Sequence, residues 1–343
     1  MSLLVVPSDT AAAGGDVPDA SYKLLAGNYL RKQLRKLRKH VARVPDSEDI
    51  EDVHQARVAS RRLRAALKLF DDCFSGGEVK RWRKQLRKLA KSLGKARDLD
   101  VQIEWVASVA DGLDKCRERP GVRRLLLRLR QQRDAVQPEV VRGCERFAEK
   151  RALGEMRSAV KDLVRAGRGA PAGSAYVFAS AGRHIGERLH DLMDLAGGLA
   201  DPDAAETHHN MRIAAKRIRY TMESCSAAYA GALDEPIAVA KQLQSELGDV
   251  HDCDVWVEQL DDFRAAELAR TRGYYGHTRP FGRISPGIEY LRDLRRRQRA
   301  GTFERACTAW RQATEAGVWR RLDGTLRARV SLPGPEEGEG NPG

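Results

Sequence analysis

The sequence predicts an all-α fold built on an internal repeat, on three observations. Apolar residues recur at helical spacing along most of the 343 residues, and strand-like alternation is hard to find. Charged residues make up 32% and aromatics 6%, a balance that suits helices with solvated faces better than an aromatic-rich β fold. A stretch carrying His54, Arg57, Arg61, Arg62, Leu63 and Arg64 returns 155 residues later as His209, Arg212, Lys216, Arg217, Ile218 and Arg219.

Residues 1–20 are rich in Ala, Gly, Asp and Pro without periodicity and read as a disordered lead-in. From Tyr22 to Val44, Leu25, Leu30, Leu34, Leu37 and Val41 form one stripe that ends at Pro45, with Arg31, Lys32, Arg35, Lys36, Arg38 and Lys39 on the outer faces. A second helix over 51–74 carries the His54 stretch opposite Ala56, Ala59, Leu63, Ala66, Leu67 and Phe70, and Gly76 and Gly77 break it. A third over 78–93 sets Trp82, Leu86, Leu89 and Leu93 against Lys84, Arg87, Lys88 and Lys91, and Gly94 is expected to stop it. A fourth runs to about 117 with Asp98 near its N-terminal end. Pro120 opens a charged helical stretch to 166, with a break expected near Pro138 or Gly154, and 167–174 reads as a linker.

After the linker the pattern is replayed. Ala181, Gly182, Ile185, Leu189 and Leu192 match Ala26, Gly27, Leu30, Leu34 and Leu37 at the offset of 155. At an offset of 154, Leu247, Gly248, His251, Asp252, Asp254 and Val255 match Leu93, Gly94, Arg97, Asp98, Asp100 and Val101. Gly287, Ile288 and Leu291 match Gly121, Val122 and Leu125 at 166, which puts the extra length in 269–287, read as a long loop. Two helices follow, and 331–343 reads as a disordered tail. The expected organisation is therefore one helical repeat over 21–166 and a second over 175–330.

A formal charge of +13 calls for an anionic partner, with nucleic acid, anionic lipid and phosphate polymers all open, and a merely well-solubilised protein as the bland alternative. The six cysteines never form a Cys-x-x-Cys pair, so neither a zinc site nor a disulfide framework is indicated. With no apolar run long enough for a membrane span and no basic leader, the expected location is the cytoplasm.

On a helix, His54, Arg57, Arg61, Arg64 and Lys68 fall within an arc of about 80°. The bland reading is a solvated face. Such a face mixes signs, yet no acid occurs from Arg57 to Lys68 or from Met211 to Tyr220, and like charges at i and i+4 repel unless an anion sits between them. Arginine's planar fork favours phosphate as that anion. For His54 and His209 the alternative is a partly buried histidine satisfied by backbone or carboxylate. His251, Asp252 and Asp254 resemble metal ligands, but Arg97 stands at the first of these positions in the other copy, so a paired metal site is excluded. These carboxylates are expected instead to cap a helix or to hold Arg62 and Arg217.

The two His-x-x-Arg-x-x-x-[Arg/Lys]-Arg-x-Arg stretches and the two Leu-Gly-x-x-[Arg/His]-Asp-x-Asp-Val stretches, in this order, resemble the CHAD family, named for conserved histidines on an α-helical domain. The resemblance covers most of residues 21–330. It implies two pseudo-symmetric antiparallel four-helix bundles around a basic central channel, binding of inorganic polyphosphate, and association with polyphosphate granules. The matching phosphate-contact candidates are His54, Arg57, Arg61, Arg64, His209, Arg212, Lys216 and Arg219. Arg31, Arg35, Lys84, Arg87, Lys88, Lys91 and Lys241 extend that set by their place on neighbouring helices.

A non-catalytic binder without metal or cofactor is the expectation. A nucleic-acid or other polyanion binder is the first alternative; it predicts aromatics interleaved with basic residues, and the motif helices offer only Phe70 and Tyr220. A polyphosphate-processing enzyme is the second, and the usual apparatus is missing: Leu89 stands where a phosphate-binding loop ending at Gly94 and Lys95 needs its first glycine.

Overall fold

The computed structural model describes residues 17–45, 50–114 and 116–330. Residues 1–16 of the expected lead-in and the whole 331–343 tail lie outside them. The described residues form ten α-helices with no strand: α1 (Ala20–Arg43), α2 (Ile50–Leu69), α3 (Gly76–Asp111), α4 (Arg119–Ala148), α5 (Arg151–Ala166), α6 (Ala175–Met193), α7 (Ala205–Cys225), α8 (Asp234–Tyr275), α9 (Ser285–Glu315) and α10 (Val318–Val330). None of these helices is long and apolar enough to cross a membrane.

The first helix of each half starts on a side-chain cap. Asp19 accepts from the Tyr22 amide at 2.8 Å, and Ser174 accepts from the Val177 amide at 3.1 Å, so each takes up one amide that the first turn leaves unpaired. The predicted stripes face inward: Leu30, Leu37, Leu63, Leu67, Phe70, Trp82, Leu86 and Leu93 are essentially inaccessible, as are Ile185, Ile218 and Leu247 in the second half. Each such side chain contributes about 1.5–3 kcal/mol through burial.

Three predicted boundaries differ from the structure. Gly94 does not end a helix, because α3 runs unbroken to Asp111, and Asp98 is mid-helix, so it caps nothing. One interior glycine costs only about 1 kcal/mol, which the flanking buried Leu89, Leu93, Ala96 and Leu99 outweigh. Pro138 lies inside α4 and Gly154 inside α5; the break falls between Ala148 and Arg151. Much of the expected 269–287 loop is helical, since α8 continues to Tyr275 and α9 begins at Ser285.

The two sets of five helices share their neighbour relations. In the first, α1 packs on α2 and α5, α2 on α3, and α3 on α4; in the second, α6 packs on α7 and α10, α7 on α8, and α8 on α9. The sets meet where α2 packs on α7 and α4 on α9. At the second crossing Gly121 and Gly287 lie back to back: a Cβ on Gly121 would fall 2.8 Å from the Gly287 Cα, and one on Gly287 would fall 2.7 Å from the Gly121 Cα. Only the absence of a side chain at both positions lets these backbones come so close.

Candidate functional site

The α2–α7 contact brings the two copies of the histidine–arginine stretch together. Tyr220 of α7 is buried, and the guanidinium carbons of Arg61 and Arg62 from α2 and Arg219 from α7 lie 5.7, 5.9 and 4.8 Å from its ring centroid. Arg62 and Arg219 are also neutralised by one carboxylate, with Arg62 Nε 3.1 Å and Arg219 Nε 3.6 Å from Glu223. Arg62 is thus a bridge between the halves, and the predicted pairing of Arg62 with the Asp98 or Asp252 clusters is replaced by Glu223. Arg219, 7% exposed, belongs to this buried bridge, unlike its counterpart Arg64.

The remaining cations are not neutralised in this way. Among the described residues, Arg61, Arg64, Arg212 and Lys216 have no carboxylate within ion-pair distance, and the buried Nε atoms of Arg61 and Arg212 have no hydrogen-bond acceptor. Burial pushes the Lys216 amine down to about 8, helped by the positive charges of Arg61, Arg212, Arg217 and Arg57. Arg212 is likewise lowered by burial and by Arg61, against the pull of Asp252. Charges 155 residues apart in sequence therefore act on one another across the junction. Arg64 extends the field towards α3: burial lowers it first, then Arg87, Arg83 and Arg61.

The second repeated motif positions the first. Arg57 lies against Gly94 of α3, where a Cβ would be 2.9 Å from its Nη1, and its guanidinium is 3.6 Å from the exposed Asp98. In the other half Arg212 crosses Gly248 of α8, with its Cδ 3.8 Å from where a Cβ would sit. Gly94 makes room for Arg57, a side chain at Gly248 would meet Arg212 only in ordinary contact, and neither glycine stops a helix. Nor do the carboxylates two places after Asp98 and Asp252 cap helices or bind Arg217, which is exposed: Asp100 holds Arg133 at 2.6 Å, and Asp254 holds Arg299 at 2.5 Å.

The histidines sit at the edge of this field. His54 is displaced below its usual value by burial and then by Arg97, and His209 by burial and then by Arg212 and Lys216. The His209 ring centroid is 4.5 Å from that of His251, itself lowered by burial, Arg212 and His209. All three are neutral at pH 7, so they offer hydrogen bonds and no charge. His208 and His40 are structural: His208 Nε2 is 2.9 Å from the Gly198 carbonyl oxygen, and His40 Nδ1 is 2.7 Å from Asp52. Among the described residues no three His, Cys, Asp or Glu side chains are grouped to hold a metal ion.

The extended candidates scatter. Lys84, Arg87, Lys88, Lys91 and Lys241 are exposed without an ion-pair partner among the described residues, and only Arg87 reaches the field of Arg64. Arg31 is exposed and bonded to Asn28, and Arg35 lines a separate cleft of about 1040 Å³ with Arg38, Lys39, Phe147, Lys150 and Arg157. Sequence reasoning left out Arg83 and named Arg97 and Tyr220 without placing them at the site. The signal for Tyr220 was available in its place directly after Arg219.

An all-helical fold in which two histidine–arginine helices from distant parts of the chain meet at a junction rich in positive charge defines an all-α protein. The CHAD domain model matches residues 28–261, about two thirds of the chain, and the chain belongs to that family. It is similar to the crystal structure of the CHAD domain from the plant Ricinus communis, with a TM-score of 0.57 and 20% identity over 95% of this chain and 96% of that one. It is also similar to PptA from Streptomyces chartreusis, with a TM-score of 0.55 and 16% identity over 86% of this chain and 99% of that one. No curated protein matches the chain.

Proposed function

We propose that the chain binds inorganic polyphosphate, without catalysis, in a basic channel between two pseudo-symmetric helical bundles over 21–166 and 175–330. The observation that carries this reading is the cluster of Arg57, Arg61, Arg212 and Lys216. They come from both halves, are partly buried, and among the described residues have one exposed carboxylate, Asp98, within ion-pair distance of any of them. Bringing like charges out of water costs stability unless an anion bridges them. A linear chain of phosphates is an anion that can meet Arg57 and Arg61 on one side and Arg212 and Lys216 on the other. The matched packing of α2 on α7 and of Gly121 on Gly287, and the matched pairs Asp100 with Arg133 and Asp254 with Arg299, support the two-fold arrangement.

His54 and His209 serve as neutral donors at the channel edge, with Arg64, Arg87 and Arg83 continuing the path along α3. Polyphosphate granules in the cytoplasm are the location that fits such a binder. The test is titration of Arg57→Ala combined with Arg212→Ala against long-chain polyphosphate. A loss of tenfold or more in affinity, with wild-type affinity falling steeply as salt rises, supports the reading. Unchanged affinity overturns it, and magnesium-dependent release of phosphate overturns the non-catalytic part.

A further inference from the structure

The far end of α8 has a chemistry that the channel lacks. α8 runs ten residues past Ala265, the counterpart of Asp111 where α3 ends, into the segment that only the second half possesses. On this extension Tyr274 is 83% and Tyr275 55% exposed, and they are the only aromatics among the exposed large hydrophobic residues described. Arg272, His277, Arg279 and Arg283 beside them are exposed, and the three arginines have no ion-pair partner among the described residues. Between Glu267 and Glu289 the sequence contains no acid.

The extension is anchored at both ends. The buried Glu267 carboxylate holds Arg124 at 3.3 Å and Arg128 at 3.0 Å from α4, together with Arg270 at 2.7 Å. Gly276, at φ +73°, closes the helix with its amide on the Arg272 carbonyl, and buried Phe281 ties the returning chain down. The rings are ordered against one another: the Tyr274 and Tyr275 centroids are 4.8 Å apart edge to face, and Tyr275 and His277 lie 6.2 Å apart in near-parallel planes.

We propose that this projecting tip is a binding platform for single-stranded nucleic acid. Exposed arginines without ion-pair partners offer a positive surface to an anion, and exposed ring faces add nothing to the binding of a phosphate polymer, which has no π surface. Nucleobases supply that surface, and stacking on tyrosine beside arginine is tolerant of sequence. A lipid surface fits less well, because the tip from Arg272 to Arg283 exposes no aliphatic side chain to enter the acyl region. The tip uses none of the channel residues and stands whether or not the channel holds polyphosphate.

The experiment is fluorescence anisotropy of a labelled 20-nucleotide oligothymidine with the full-length protein, in excess unlabelled polyphosphate to occupy the channel. Wild type against Tyr274→Ala combined with Tyr275→Ala is the main comparison, with an abasic strand of equal length as the control. Two stacking contacts predict at least a tenfold loss in the double variant, a similar deficit for the abasic strand on wild type, and unchanged polyphosphate affinity. Both tyrosines are exposed, so the variant keeps its fold, checked by thermal melting. Equal binding by the double variant, or by the abasic strand, overturns the platform. Tyrosine-dependent capture by phosphatidylserine vesicles without oligonucleotide binding overturns it in favour of a membrane surface.

Discussion

Lys216 allows the electrostatics of the junction to be read as a pH dependence. Its amine is lowered to about 8 in the free protein, from an ordinary 10.5. It is therefore about nine-tenths protonated at pH 7 and about one-tenth at pH 9. A phosphate beside it favours the charged form and offsets the burial and the positive charges that lower it, so the amine should stay charged in the complex throughout this range. Affinity for polyphosphate should then fall about tenfold from pH 7 to pH 9. His54, His209 and His251 are displaced downward and are already neutral, and a terminal phosphate with an ionisation near 6 has largely finished its own titration. The sign for folding is opposite: burial of the charged amine costs stability below about 8, and that cost fades as pH rises towards 10.5. The assay is anisotropy of end-labelled polyphosphate of fixed length at constant ionic strength and pH 7, 8 and 9. Lys216→Arg should flatten the profile, since a guanidinium keeps its charge. A flat wild-type profile, or an unaltered tenfold fall in Lys216→Arg, refutes the reasoning.

Gly94→Ala should leave thermal stability unchanged or slightly raised, because an interior alanine gains about 0.5–1 kcal/mol, yet should weaken polyphosphate binding several-fold by pushing the Arg57 guanidinium off α3, as a melt and a titration will show. Gly121→Ala sets a Cβ against the Ile284 carbonyl and the Gly287 backbone, so it should cost upwards of about 3 kcal/mol and lower the melting temperature, whereas Gly154→Ala, with nothing within 4 Å, should not. Asp100→Ala leaves the Arg133 guanidinium largely buried without its carboxylate and should destabilise by about 3–5 kcal/mol in urea denaturation, with no direct effect on the cations at the junction.

The separation between what was legible in the sequence and what was not follows the range of the forces involved. The helical stripes, the basic arc of His54, Arg57, Arg61 and Arg64, and its second copy from His209 are written in local spacing, because a helix repeats every 3.6 residues whatever surrounds it. Family membership rests on the same local patterns. Gly94 illustrates the limit. As a local signal it reads as a helix stop, and only the crossing of Arg57 from another helix gives it a different purpose. Pro138 and the 269–287 segment were misread for the same reason: propensity terms of about 1–3 kcal/mol are outweighed when flanking side chains such as Val136 and Val140 are buried.

The sequence by itself determined the elements, their duplication and the stock of positive charge. The tertiary structure decided how that charge is divided. Arg62 and Glu223 are 161 residues apart, and their pairing turns one arginine of a repeated set into a bridge, while Arg61 beside it has no carboxylate within ion-pair distance among the described residues. Arg219 and Arg64 occupy matching places in the repeat, but only Arg219 has Glu223 one turn away. Whether a cation is neutralised or left for a ligand depends on which helix lies across from it, and spacing along one helix carries no record of that.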